Sequence, residues 1–164
     1  ALSALNADVL GLIEIQNSSA AVQDILDALN AAVGPGTYAA VADPAVGAGG
    51  DAIRTVLLYK VAKLQTVGVC YADNDTVWNT PDPLRLPLAQ VFQEISSGER
   101  FIACMNHWKS KSPGSAAGLN ADQGDGQGAW NDLRKQQAAR LNVWLQGLCM
   151  AVGDNDVLDR KSVV

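Results

Sequence analysis

The only histidine of the chain, His107, closes an apolar run that starts at Phe101, and it is followed by Trp108-Lys109-Ser110-Lys111. An imidazole titrates close enough to neutrality to move protons at pH 7. Ammonium and hydroxyl donors at Lys109, Ser110 and Lys111 could hold a phosphate. The same residues also admit a core histidine beside a solvated turn. Glu14 interrupts the most apolar segment of the chain, where a carboxylate is costly unless it is solvated, paired or bound to a cation. Mg²⁺ takes one or two protein carboxylates and fills its shell with water and substrate oxygens, so one glutamate at a strand end would suffice. Asp154 follows a third apolar run and could orient water as a general base, or simply cap a turn. These three groups together suggest metal-assisted chemistry on a phosphodiester.

Composition narrows the ligand classes. The chain has 164 residues, enough for one domain that buries roughly 70% of its unfolded surface. Nearly half of it, 48%, is hydrophobic and only 18% is charged, yet no apolar run approaches the ~20 residues that span a bilayer. No membrane partner is expected. The net charge of −5 has the wrong sign for bulk electrostatic capture of nucleic acid, so phosphate would have to be held locally, by a bound cation or a basic cluster. Cys70, Cys104 and Cys149 lack zinc-site spacing and lie in apolar surroundings, which suits three core thiols, with one bridge left open.

The elements that must position these groups alternate between strand and helix. Asp8–Ile15 is a short apolar run typical of a strand buried on both faces. After the caps at Asn17, Ser18 and Ser19, Val22, Ile25, Leu26, Leu29 and Val33 keep helical spacing until Gly34-Pro35. Residues 53–59 and 64–70 are expected to form a hairpin around the turn 60–63, and residues 87–94 and 100–106 a second antiparallel pair. Residues 110–128 form a long loop rich in Gly, Ser and Asp. Asn131 or Asp132 is expected to cap a second helix with Leu133, Leu141, Trp144, Leu145 and Leu148 inward and Arg134, Lys135 and Arg140 outward. A last strand is expected over 149–152. Antiparallel pairs with covering helices favour a layered α/β sandwich over a doubly wound parallel sheet.

The motifs, taken in order, resemble the endonuclease/exonuclease/phosphatase superfamily, and within it the secreted bacterial nucleases of the ExeM and NucH type. ADVLGLIEIQN (residues 7–17) is similar to the family strand bearing a metal-binding glutamate, and DAIRTVLLYK (51–60) to the strand after it. RLPLAQVF (85–92) precedes NHWKSK (106–111), which resembles the family's NHxKSK strand. GDGQGAWNDLRKQQAARLNVWL (124–145) resembles the family's GDGQG loop and helix, and Val152-Gly153-Asp154 its GDFN strand. An ungapped match puts Asp156 at the asparagine of GDFN, and a one-residue deletion puts Asn155 there.

The resemblance implies a DNase I-like sandwich and a nuclease that uses Mg²⁺, or Mn²⁺ or Ca²⁺, on DNA or RNA. Glu14 would hold the metal, His107 would contact the scissile phosphate and assist proton transfer, and Asp154, with Asn155 or Asp156, would position water. Arg54, Tyr59, Asn106, Lys109 and Lys111 would support phosphate contact. A bacterial secreted or periplasmic location is implied as well. The family's earlier strand with a metal-site asparagine and its later Ser-Asp-His strand find no match in these residues, so the resemblance implies an internal portion of such an enzyme. Exposed sheet edges would then invite association with a second copy. A catalytically inactive domain of the same fold and a phosphatase acting on lipid or inositol phosphates are the competing readings.

Overall fold

A computed structural model describes residues 2–83 and 85–162, with side chains up to residue 159. The elements follow as α1 (Leu2–Leu5), β1 (Val9–Gln16), α2 (Ser19–Val33), β2 (Tyr38–Ala40), β3 (Ile53–Lys60), β4 (Leu64–Ala72), β5 (Leu88–Glu94), β6 (Arg100–His107), α3 (Asn131–Val152) and β7 (Val157–Ser162). Two sheets form among them. The first has the order β1-β3-β2 and is antiparallel, and the second has the order β4-β5-β6-β7, with only β6 and β7 parallel.

Four layers result. The helical stripe of α2, including Val22, Ile25 and Leu29, packs on Leu10, Val56 and Leu58 of the first sheet. The opposite face of that sheet meets the second, where the Tyr59, Phe92 and Phe101 rings pack in series. Leu141 and Leu148 of α3 cover the outer face of the second sheet through Val91, Ile102 and Cys104. Strands β3 and β6 are each buried over most of their length because both of their faces are covered, which is why they read as continuous apolar runs. The layered α/β sandwich expected from the sequence is the fold observed.

Four local expectations are corrected. Residues 53–59 and 64–70 do not pair as a hairpin: β1 and β2 occupy both edges of β3, so the chain turns at Lys60–Lys63 into the other sheet, where β4 pairs with β5. Residues 149–152 are helical, because the spacing of Leu141, Leu145 and Leu148 carries α3 on to its left-handed cap at Gly153. The position before α3 is Trp130, itself left-handed, rather than Asn131 or Asp132 as cap. Arg134 points inward and is buried, because its guanidinium donates to the backbone carbonyls of Ala129 and Gln127. The three-residue strand β2 carried no readable alternation.

Cys70 and Cys104 are buried free thiols and Cys149 is a half-buried one; burial pushes Cys70 up to about 11 and raises Cys104 as well. These are packing residues. No helix among the described residues is long and apolar enough to cross a membrane.

The segment after β4 is tied to α3 by one buried carboxylate. Asp73 accepts hydrogen bonds from Trp78 Nε1 at 2.8 Å and from Arg140 Nε at 2.7 Å. Removing it leaves the buried indole N–H without its acceptor, which costs about 2 kcal/mol. Asp73→Ala should therefore lower the unfolding free energy by that amount, read in urea as a lower midpoint at an unchanged slope, whereas Arg140→Gln should cost less.

Candidate active site

His107 is the last residue of β6. Side chains alternate along a strand, so His107 shares a face with Ala103 and Met105, turned toward the first sheet, while Asn106 shares the other with Cys104. The sheets come close here. A Cβ on Gly11 of β1 would lie 2.5 Å from Met105 Sδ, so the absent side chain is what admits that methionine.

Farther along β1 the register breaks. Leu12 pairs with Val56 but Ile15 pairs with Arg54, so one extra residue is inserted and the strand bulges. Glu14 sits in the bulge with φ 59°, a left-handed conformation that non-glycine residues adopt at a cost of order 1–3 kcal/mol and that clusters at functional sites. The bulge turns its carboxylate toward β6. Glu14 Oε1 lies 3.9 Å from His107 Nε2; the carboxylate side chain is 53% exposed and the imidazole 3%. That separation is too long for a hydrogen bond, yet one oxygen atom could touch both groups.

A clamp of buried polar groups surrounds the pair. Arg85 donates from Nη1 to Asp51 Oδ2 at 3.0 Å and from Nη2 to the Trp108 carbonyl at 2.7 Å, fixing the residue next to His107. Asn17 Nδ2 donates to the Gly49 and Asp51 carbonyls at 3.0 and 2.8 Å, holding the other end of the same loop. Neither Asp51 nor Arg85 was singled out by motif or spacing. Asp51 opens the motif DAIRTVLLYK and Arg85 opens RLPLAQVF, and that position was the one signal available in the sequence.

Burial holds the His107 imidazole below its ordinary range; Arg85 pushes the same way, and Glu14 and Asp51 oppose it. His107 is therefore neutral at pH 7, with Nδ1 buried and unpartnered among the described residues. A neutral imidazole has one N–H and one lone pair, so it can give or take a proton.

The other sequence-assigned residues divide. Asp154, Asn155 and Asp156 do not join Glu14 and His107. Parallel pairing of β7 sets Val157 opposite Ile102 and residue 162 opposite His107, and Ile102 N donates to the Asp156 carbonyl at 2.7 Å. At the rise of a strand this leaves them about 17 Å from His107. Asp154 caps a turn by accepting from Asp156 N, Asn155 lines a groove with Asn142 and Cys149, and Asp156 one with Asp8 and Arg100. The motif match failed because the apolar run before Gly153 is helix, which moves the strand several residues on.

Arg54 is buried and its guanidinium is spent on Asp43, so it is no free phosphate ligand. Tyr59 packs on Phe92 and pairs with Val9, at the end of β1 away from Glu14. Asn106 is fully buried and donates from Nδ2 to Asp159 Oδ1 at 2.6 Å, which makes it a brace between β6 and β7. Lys109 Nζ stands 5.0 Å from the centre of the Trp130 ring, a cation–π contact. Lys111 is exposed.

Among the described residues no cluster of three or more His, Cys, Asp or Glu could enclose a metal. Glu14 nonetheless fits a water-rich Mg²⁺ site, for which one half-exposed carboxylate suffices.

No protein-family model matches the sequence, and no curated protein matches it either. Solved structures do. The human Nocturnin catalytic domain with bound sulfate superposes with a TM-score of 0.62 at 16% identity, covering 96% of this chain and 51% of that one. An endonuclease/exonuclease/phosphatase family protein from Bacteroides thetaiotaomicron gives 0.60 at 14% identity, over 98% of this chain and 50% of that one. D. rerio TDP2 complexed with a single-strand DNA product gives 0.52 at 16%, over 99% and 49%. The chain thus has the fold of the endonuclease/exonuclease/phosphatase proteins and spans about half the length of these structures.

Because His107 is the only histidine, its ring proton can be followed by NMR without assignment. Its titration midpoint should lie below the ordinary ~6.5. Glu14→Gln removes a charge that favours the imidazolium and should lower the midpoint further. A depressed native value means that the unfolded chain binds the proton more readily. The contribution of His107 is thus present above about pH 6.5 and lost as pH falls through the native midpoint.

Proposed function

We propose that the chain hydrolyses phosphodiester bonds in nucleic acid with a divalent metal ion, Mg²⁺ or Mn²⁺, held at Glu14. The observation that carries this reading is the strained glutamate set 3.9 Å from a neutral, buried imidazole. The shared fold supports it, as does the TDP2 structure with a DNA product.

Glu14 is the residue that would hold the ion, which when bound supplies charge neutralisation and polarises a phosphoryl oxygen. His107 Nε2, the nitrogen on the side of Glu14, exchanges a proton with a phosphate-bound oxygen. Arg85 and Asp51 keep the imidazole in place by fixing the Trp108 carbonyl, so that little reorganisation accompanies the reaction. Lys111 offers an ammonium to the substrate. The narrower likeness to secreted ExeM and NucH nucleases rests on the NHWKSK and GDGQG motifs, and a bacterial extracellular or periplasmic location belongs to the same reading.

A second reading, a domain that binds phosphodiesters without turnover, is favoured by the displacement of Asp154. Asp51, the other carboxylate acting on His107, is already taken by Arg85.

Supercoiled plasmid incubated with Mg²⁺ or Mn²⁺ should be nicked, and EDTA should stop the reaction. His107→Ala and Glu14→Ala should each reduce the rate by about 10² or more. Plasmid that is bound but never nicked would establish the second reading. Hydrolysis of inositol phosphates with plasmid untouched would replace both with a phosphatase.

A further inference from the structure

A groove of about 340 Å³ opens between the segment after β6 and the first turns of α3, and Trp108, the residue after His107, is part of its wall. Lys111, Gln127, Asn131, Arg134 and Lys135 line it together with Trp108. No carboxylate is among the described lining residues. In a chain of net charge −5, three cations and two amides converging on one concavity are a local reversal of sign.

The walls are held rigidly. Arg134 is buried because its guanidinium acts as a hub: Nη1 donates to the Ala129 carbonyl at 2.6 Å and to the Ser110 carbonyl at 3.3 Å, and Nη2 to the Gln127 carbonyl at 2.8 Å. It thereby ties the loop after His107 to the Gly-rich loop before α3. Gly128, at φ 70°, lets the Lys111 stem lie against its backbone, since a Cβ there would sit 3.1 Å from Lys111 Cβ. Lys111 and Lys135 are exposed and make no ion pair among the described residues. Two ammonium groups and two side-chain amides on the walls of one groove suit the oxygens of a phosphate.

We propose that this groove is a second phosphate site, which takes a backbone phosphate of the nucleic-acid strand whose neighbouring phosphate lies at His107. The proposal rests on the nucleic-acid reading above and adds Lys135, Asn131 and Gln127 to the binding residues. Lys111 and Lys135 contact the phosphate oxygens, and Arg134 positions the walls. Lys109, held over Trp130, stands outside the groove.

Binding of a fluorescein-labelled 12-mer of single-stranded DNA, measured by anisotropy in EDTA over a range of salt, tests this without turnover. The double variant Lys111→Gln/Lys135→Gln should bind at least tenfold more weakly, and the slope of log K against log salt should shrink by about 0.7. Lys63→Gln/Arg100→Gln removes the same charge at the far end of the sheets and should leave both quantities near wild type. Unchanged affinity and slope in the first variant would overturn the proposal, and so would equal weakening in the second. Lysine-dependent binding of inorganic phosphate with no lysine dependence for the 12-mer would overturn the assignment to a strand. Because the assay needs no cleavage, absence of plasmid nicking leaves its outcome intact.

Discussion

The arrangement depends on how closely β1 and β6 approach across the interface between the two sheets. A bulge in β1 rotates Glu14 out of the pleat and toward His107, at the cost of a left-handed glutamate. Gly11, three residues earlier, admits the Met105 side chain where the strands meet. The carboxylate keeps its access to water while the imidazole loses it, so two titratable groups 3.9 Å apart experience different environments. Burial then sets the protonation state of His107, with Arg85 reinforcing it.

Much of this was legible in the residues. The apolar run that ends at His107 is a strand buried over most of its length, and a polar group closing such a run has few places to go but a site; the run that holds Glu14 is instead an edge strand, in which only Leu10 is fully buried, so the two-sided burial its composition suggested is not found. The helical stripe from Val22 to Val33 and its stop at Gly34 are local signals and mark α2 to within a residue. Pairing was less legible. Two strands joined by a short turn usually pair, but β3 has both edges filled by strands that lie far from the turn in sequence, which local pattern does not encode. Arg54 and Arg134 illustrate the same limit, since a charge reads as surface until its buried partners are known. For Arg54 the partner is Asp43, and for Arg134 it is a set of backbone carbonyls.

The displacement of Asp154 has a simple origin. Cys149 to Val152 is apolar enough for a strand, but the stripe of α3 continues through it, so the chain reaches Gly153 at the start of β7 instead of its end. The brace from Asn106 to Asp159 then joins β7 to β6 near His107, on the face turned away from Glu14. The site is consequently built from β1, β6 and the loops held by Asp51, Arg85 and Arg134, with β7 as support.

The central claim is that Glu14 and His107 face one divalent ion. Mn²⁺ is paramagnetic and broadens nearby proton resonances, so its addition to the protein should broaden the ring signal of the single histidine at substoichiometric metal, and Mg²⁺ should reverse the effect by competition. Glu14→Gln should abolish the broadening. A histidine signal indifferent to Mn²⁺, or broadened equally in the wild type and in Glu14→Gln, would contradict the account.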